Sequence, residues 1–239
     1  MRLEIFDFID DTINLVESYR SVLENGTKEL EDYFKKLLLD HDNVLNISSR
    51  IKSSMSLKEK ILRNDFYLKY KSPEKLVENL SDLIGLRIEC RFIEEEEDVY
   101  NELLKIFNLP QEKDYYYNES KPNILLKLDG DQPQLQKNGF GIYRIDGKYI
   151  SKSITVNFEL QIKSLVNVFW SEAEHKVLYK NYRYLLKEDL FKDIMSSMNE
   201  NLNMIDRQLM ILYNHLRDMD ESNKDKRKKQ LEALLSKII

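Results

Sequence analysis

The sequence predicts an α+β protein that is rich in helix and carries a modest sheet. Its 239 residues include only six glycines and four prolines, the residues that most often interrupt regular structure. Near both ends of the chain, apolar residues recur at helical spacing over long stretches. Two segments in the middle alternate apolar and polar residues instead, which is the period of a half-buried strand. We therefore expect helices at both ends of the chain and strands between them.

The composition is that of a soluble globular protein, with 42% hydrophobic and 33% charged residues. A net charge of −5 argues against broad, nonspecific binding to nucleic acid, so DNA is not an expected partner. No apolar run approaches the roughly 18 residues of a membrane-spanning helix, and acidic residues interrupt the N-terminus too early for a secretory leader. The single cysteine, Cys90, excludes an intramolecular disulfide. We expect a cytoplasmic protein that does not bind membranes.

Residues 3–40 predict two helices, because apolar residues recur three and four positions apart. We place the break between the two helices at Asn25-Gly26. A link over residues 40–46 then leads to a basic helix. Proline favours the first turn of a helix, so Pro73 predicts a short helix from Glu74 to Leu80.

The alternation from Leu83 to Phe92 predicts a strand with one apolar and one charged face. The apolar face carries Leu86, Ile88 and Cys90, and the charged face carries Arg87, Glu89 and Arg91. The acidic run from Glu94 to Asp98 follows directly. We interpret it as the first turn of a helix that continues to Phe107, since carboxylates stabilise the positive end of the helix dipole.

Residues 111–138 are polar and irregular, which predicts a long functional or mobile loop. Alternation resumes after Gly139, and the pair Asp146-Gly147 predicts a hairpin turn. The return strand is predicted from about Ser153 to Lys163. The predicted helices that complete the chain run roughly from Val166 to Tyr179, from Lys187 to Arg217 and from Lys224 to Ile239.

The basic segment carries Lys52, Ser56, Lys60 and Arg63 at spacings that would place them on one face of a helix. A carboxylate, Asp82, follows at the turn into the first predicted strand. Cations directed at one point beside a carboxylate suit a nucleoside triphosphate and its Mg²⁺. For the cation stripe taken alone, a solvated helix face would be the preferred explanation; the basic segment and Asp82 together, with the third segment described below, favour a nucleotide site.

Four ordered motifs resemble the synthetase domain of RelA/SpoT proteins, and in size the chain resembles the small alarmone synthetases. The motifs are Arg50-x-Lys52-x-x-x-Ser56-x-x-x-Lys60, Asp82-x-x-Gly85-x-Arg87, Glu159-x-Gln161-Ile162-Lys163 and Phe169-Trp170-x-x-x-Glu174-His175-x-x-x-Tyr179-Lys180. We accordingly divide the chain into N-terminal helices (1–44), a synthetase-like domain (45–183) and a C-terminal helical extension (184–239).

The resemblance implies a nucleotidyltransferase-like mixed sheet flanked by helices, and a single reaction. The β,γ-diphosphate of ATP is transferred to the 3′-hydroxyl of GTP or GDP, which gives the alarmone pppGpp or ppGpp. By resemblance, Asp82 and Glu159 are the catalytic residues and bind Mg²⁺, and Glu159 also assists removal of the hydroxyl proton. The implied ATP-binding residues are Arg50, Lys52, Ser56, Lys60, Arg63 and Arg87.

The acceptor side of the sequence departs from the family, which usually carries Gly-Tyr-x-Ser-x-His there. The best counterpart is Gly139-Phe140-Gly141-Ile142-Tyr143-Arg144, and extra residues precede it. The expected acceptor-binding residues are Phe140, Tyr143, Arg144, Gln161 and Lys163. Three readings stay open: use of GTP or GDP, use of another nucleotide or the 3′ end of tRNA, and nucleotide binding without turnover.

An apolar stripe in the last long predicted helix suggests a surface for a partner. It contains Leu190, Ile194, Met198, Leu202, Ile205, Leu209 and Leu212. By resemblance to the small synthetases, we expect these C-terminal helices to build a homo-oligomer. A protein that serves chiefly as a helical interaction module is the alternative of a different class.

Overall fold

A computed structural model describes residues 2–135, 141–152, 154–174, 176 and 188–235 of the chain. It contains two compact units, residues 1–165 and 166–239. The first unit holds the sheet, and the second consists of helices in its described part. The predicted α+β class is confirmed.

Two helices open the chain, α1 (Arg2–Ser18) and α2 (Arg20–Leu37). They are separated at Tyr19, so the predicted break at Asn25-Gly26 is wrong. Gly26 is buried inside α2, where a Cβ would lie 2.9 Å from the ring of Tyr149. The glycine therefore allows α2 to approach the sheet closely and does not end the helix.

The described strands form an eight-stranded sheet in the order β1-β2-β8-β7-β5-β4-β3, with β6 beside β7. Their bounds are β1 Val44–Ile51, β2 Ile84–Cys90, β3 Leu109–Pro110, β4 Tyr115–Asn118, β5 Lys121–Lys127, β6 Gln134–Leu135, β7 Gly141–Ile150 and β8 Thr155–Ser164. Strands β2 and β8 run parallel, whereas the other described neighbours are antiparallel. The sheet is therefore mixed, as the resemblance implies.

Helices of the first unit pack against this sheet. Besides α1 and α2, the described helices are α3 Ser54–Arg63, α4 Phe66–Lys69, α5 Pro73–Asn79, α6 Glu94–Ile106, α7 Leu165–Glu174 and α8 Glu188–Leu235. Helix α2 packs against β1 and β2, and α6 packs against β7 and β8. The short helix at Pro73, the strand before Cys90 and the acidic first turn of α6 are confirmed.

The polar stretch at 111–138 is not the long loop that was predicted, since β4, β5 and β6 lie within it. Strands β4 and β5 form an antiparallel hairpin whose centre buries Ile124, Leu125 and Leu126. Both strands lie toward one edge of the sheet. The apolar run is short and is flanked by tyrosines and lysines, so the sequence does not show a clear strand pattern here. A further strand was missed at β1, where only Ile47 is buried.

The predicted hairpin turn at Asp146-Gly147 is also wrong, because both residues lie inside β7. The chain turns later, where the Ser151 N–H donates a hydrogen bond of 2.9 Å to the Ile154 carbonyl. The return strand β8 follows closely as predicted.

In the second unit, α8 runs through Arg217 to Leu235 without the predicted interruption before Lys224. Its sequence contains no glycine or proline that would end a helix. The predicted end of the preceding helix at Tyr179 lies outside the described residues. None of the described helices is long and apolar enough to cross a membrane.

Candidate active site

The central strands present one polar face, because side chains alternate between the two faces of a sheet. Ile84, Leu86, Ile88 and Cys90 of β2 are buried in the core, which directs Arg87 and Glu89 to the opposite side. Backbone register then places Arg87 beside Gln161 of β8. In the next row along the strands, Gly85 lies between Arg50 of β1 and Glu159 of β8. Several predicted site residues thus share one face.

Two lysines converge on Asp82, two residues before β2. The Lys52 ammonium donates a hydrogen bond of 2.7 Å to one carboxylate oxygen, and the Lys60 ammonium lies 2.9 Å from the other. Burial would raise the pKa of Asp82, but the hydrogen bonds and positive charges of the two lysines outweigh it and lower that pKa. The carboxylate is therefore ionised at neutral pH and holds both ammonium groups at one point.

The four residues of the predicted cation stripe do not lie together on one face of a helix. Lys52 precedes α3, and its backbone N–H donates to the Leu83 carbonyl at 2.9 Å, which places it beside Asp82. Lys60 reaches the same carboxylate from the last turn of α3. Ser56 and Arg63 lie on the same helix and are exposed, and neither is among the partners of Asp82. The structure therefore brings together two of the four predicted residues.

Asn157 joins the segment that carries Asp82 to the strand that carries Glu159. Its side-chain amide donates to the Glu78 carbonyl at 2.9 Å and to the Leu80 carbonyl at 3.1 Å. Asn157 and Glu159 lie two residues apart on β8 and therefore share a face. This contact ties the two predicted catalytic carboxylates to one end of β2.

Glu159 is largely buried on the polar face, with 16% of its side chain exposed. The Gln161 side chain donates a hydrogen bond of 2.5 Å to one of its carboxylate oxygens. The Arg144 guanidinium of β7 lies 3.8 Å from the other oxygen, and its own side chain is 48% exposed. Glu159 thus lies between the side-chain amide of Gln161 and the partly exposed guanidinium of Arg144.

Three further predicted cations lie on this face. Arg50 is exposed at the end of β1, and the Arg87 guanidinium lies 3.9 Å from the Glu89 carboxylate. Lys163 is 7% exposed. Burial and the positive charge of Arg87 lower the pKa of Lys163 to about 8 against the opposing effect of Glu159. The pKa of this buried lysine therefore lies close to physiological pH.

The predicted acceptor residues are separated by the structure. Tyr143 lies on the opposite, buried face of β7, with its ring centroid 5.3 Å from that of Tyr100. Burial and the nearby charges of Glu97 and Glu96 raise the pKa of Tyr143 to about 12. Its position beside the core does not place it with Arg144 and Gln161. Phe140 lies outside the described residues.

Sequence reasoning missed the residues that hold Arg144. The Gln132 side chain accepts a hydrogen bond from the Arg144 N–H at 3.1 Å and donates one to its carbonyl at 2.8 Å. The Gln134 side chain donates to the same carbonyl at 3.0 Å. Alternating glutamines in the run Gln132-Pro-Gln134 were the available signal, but their partner belongs to a strand that sequence alone does not locate.

The carboxylates at this end of β2 suit Mg²⁺ in their chemistry. Within the described residues there is no group of three or more acidic, histidine or cysteine side chains that would enclose a metal ion. Mg²⁺ is commonly held by one or two carboxylates together with substrate phosphates. Asp82 and Glu159 are carboxylates of the kind that this pattern requires.

Comparison with known proteins places this chain in a family. The family model described as the region found in RelA/SpoT proteins matches residues 49–184. The GTP pyrophosphokinase YwaC of Bacillus subtilis (strain 168) is 27% identical over 165 residues, which make up 69% of this chain and 70% of that protein. The GTP pyrophosphokinase YjbM of the same strain is 25% identical over 147 residues, and this match spans 59% of each chain.

Solved structures of small alarmone synthetase 1 from Bacillus subtilis share the fold. One has a TM-score of 0.61 at 22% identity and covers 84% of this chain and 97% of that chain. The same protein bound to its product pppGpp gives 0.60 at 21% identity, covering 83% and 96%. Bound to AMPCPP it gives 0.56 at 20% identity, covering 84% and 98%. Because the family match extends over more than half of the sequence, this chain belongs to the RelA/SpoT family.

Proposed function

We propose that this chain is an ATP-dependent pyrophosphokinase that transfers the β,γ-diphosphate of ATP to the 3′-hydroxyl of GTP or GDP. The observation that carries the proposal is the convergence of Lys52 and Lys60 on Asp82, beside the strand that presents Glu159. Clustered ammonium groups bind phosphate oxygens, and the nearby carboxylate of Glu159 can act on a hydroxyl. Family membership and the names of the relatives support the same reaction class.

The proposed reaction joins the acceptor 3′-oxygen to the β-phosphorus of ATP. The bond between that phosphorus and the oxygen bridging to the α-phosphate breaks, so AMP leaves and the diphosphate stays on the acceptor. The hydroxyl proton is lost in the same exchange, and we assign its removal to Glu159. In-line displacement of this kind depends on positioning and on neutralising the phosphoryl oxygens.

The residues around Asp82 supply the positioning. Asp82 fixes Lys52 and Lys60 so that their remaining donors can reach the ATP phosphates, and Arg50 and Arg87 would flank the adenine through their planar guanidinium groups. Ser56 and Arg63 complete the proposed ATP site. Asp82 and Glu159 would hold Mg²⁺, which would supply positive charge to polarise and neutralise the phosphoryl oxygens. Arg144, Gln161 and Lys163 are the proposed acceptor residues on the described part of the face.

Labelled ATP tests the proposal directly. With ATP labelled at the γ-phosphate and Mg²⁺ present, we expect label to appear on GTP or GDP and the transfer to stop when the metal is chelated. The measurement is chromatographic separation of products from a panel of nucleotides and tRNA. Label that appears only on tRNA or on another nucleotide would contradict the alarmone assignment, and no transfer to any acceptor would favour a binding module.

We also propose that α8 assembles the protein into a homo-oligomer. Between Met198 and Met219 its apolar side chains follow spacings of three and four residues, the repeat of a coiled-coil seam. The side chains of Leu209 and Leu212 are 52% and 53% exposed, whereas Asp206 on the same helix is buried. In α8 a carboxylate is buried while leucines are exposed to solvent. We attribute this pattern to a second copy of the chain that covers the apolar side of the helix.

Charge placed on this stripe should dissociate the oligomer. We expect the double variant Leu209→Asp, Leu212→Asp to have a lower mass by light scattering, because two carboxylates would have to be buried in the interface. Arg207→Asp changes the net charge equally on the exposed opposite side of α8 and should leave the mass unchanged. An unaltered mass in the double variant would remove this stripe from the assembly.

A further inference from the structure

Asp146 faces Glu159 directly across two strands. The two residues are paired in the antiparallel register of β7 and β8, so their side chains project from the same face with Cβ atoms about 5 Å apart. The sequence pattern placed Asp146 in a turn, and the family motifs quoted above do not include it. The structure therefore adds a second carboxylate beside the one to which we assign the acceptor hydroxyl.

The carboxylate of Asp146 has no hydrogen-bond or ion-pair partner among the described residues, although three cations lie on neighbouring positions. The Arg144 guanidinium is directed at Glu159, 3.8 Å away. The Lys148 ammonium lies over the Tyr115 ring, 4.3 Å from its centroid. The Lys127 ammonium lies 3.4 Å from Asp114. These three cations are therefore directed at other groups.

Two carboxylates directly opposite each other destabilise a pair of strands, so this arrangement has a cost unless a ligand offsets it. An ionised carboxylate only accepts hydrogen bonds. It repels phosphate and attracts a hydroxyl donor. A ligand bound between Asp146 and Glu159 is therefore expected to present two hydroxyl groups on adjacent atoms, one to each carboxylate.

A ribose has this pattern in its 2′- and 3′-hydroxyls. We infer that Asp146 accepts a hydrogen bond from the 2′-hydroxyl of the acceptor nucleotide while Glu159 faces the 3′-hydroxyl. The inference rests on the proposed function, because that function places the 3′-hydroxyl at Glu159. It makes Asp146 a specificity-determining residue that selects ribonucleotide acceptors over 2′-deoxyribonucleotides.

The test compares GDP with 2′-deoxy-GDP as acceptors for the full-length protein. A hydrogen bond to a charged group is worth roughly 1.5–3 kcal/mol, so kcat/KM should favour GDP by about 10- to 100-fold. In Asp146→Ala that ratio should fall toward one, mainly through loss of activity with GDP. Asp40→Ala removes an exposed carboxylate at the end of α2 and should keep the ratio of the unaltered protein.

A second readout separates this inference from the proposed function. Calorimetric titration of the same two nucleotides needs no turnover, and tighter binding of GDP that disappears in Asp146→Ala would support the inference even without transfer. Equal use and equal binding of the two nucleotides by the unaltered protein would overturn it. So would a ratio that survives in Asp146→Ala, or a variant whose activity is restored by raised Mg²⁺, which would identify Asp146 as a metal ligand.

Discussion

Replacement of Glu159 by glutamine is expected to reduce diphosphate transfer by at least about 100-fold, the smaller end of the effect of losing a general base. Glutamine keeps the size of the side chain and an oxygen that can accept the hydrogen bond from Gln161. It cannot take a proton from the acceptor hydroxyl, and it no longer offers a charged oxygen to Mg²⁺ or to Arg144. The measurement is the rate of label transfer from ATP at saturating concentrations of both nucleotides.

The control for this result is Glu119→Gln, which removes an equal charge from an exposed residue on the turn between β4 and β5. We expect its transfer rate to match that of the unaltered protein. Thermal unfolding of Glu159→Gln should stay close to that of the unaltered protein, which would assign the lost rate to chemistry. A folded Glu159→Gln variant within tenfold of full activity would contradict the role given to this carboxylate.

The centre of the fold could be predicted because its strands are buried on one face only. In β2 and in β8 each apolar residue of the alternation enters the core, including Phe158 and Leu160. The charged residues on the other face then follow from the two-residue period of a strand. Two of the family motifs lie on or next to these strands, so the predicted site residues Arg87, Glu159 and Gln161 fall on the polar face.

The outer part of the sheet could not be predicted in this way. Strand β3 has two residues and β6 has two, and strands this short give no periodic signal. Their positions depend on pairing with β4 and β7 and on the hydrogen bonds between Gln132 and the backbone of Arg144. Strand pairing of this kind decides the structure of residues 111–135 and is not evident from local composition.

The same limit explains why two neighbouring predicted acceptor residues lie on different faces of the sheet. Tyr143 and Arg144 are neighbours in sequence, yet a strand directs one into the core and the other to the polar face. The predicted turn at Asp146-Gly147 ends the strand at that point, so the sequence does not indicate that Asp146 lies on the polar face of β7. The register between β7 and β8 places Asp146 opposite Glu159. None of the family motifs pairs these two residues.

Gly147 explains both why a turn was predicted at Asp146-Gly147 and why none forms there. Its replacement should have a large effect on stability. An Asp-Gly pair is a strong hairpin signal because glycine tolerates turn conformations. Here, however, Gly147 lies inside β7 opposite Phe158 of β8. A Cβ on Gly147 would lie 2.2 Å from the tip of the Phe158 ring. The glycine is therefore required for the space that it leaves to an aromatic ring.

Gly147→Ala should consequently lower the free energy of unfolding by about 1–3 kcal/mol, the usual cost of overpacking a core. Phe158 is fully buried, so its ring cannot swing into solvent to relieve the clash. Gly130→Ala is the matched control, since no atom lies within 4 Å of the added Cβ there. It should be neutral or slightly stabilising, because alanine restricts the unfolded chain. Urea unfolding of both variants measures the difference, and equal midpoints would show that the β7–β8 pair does not hold Phe158 over Gly147.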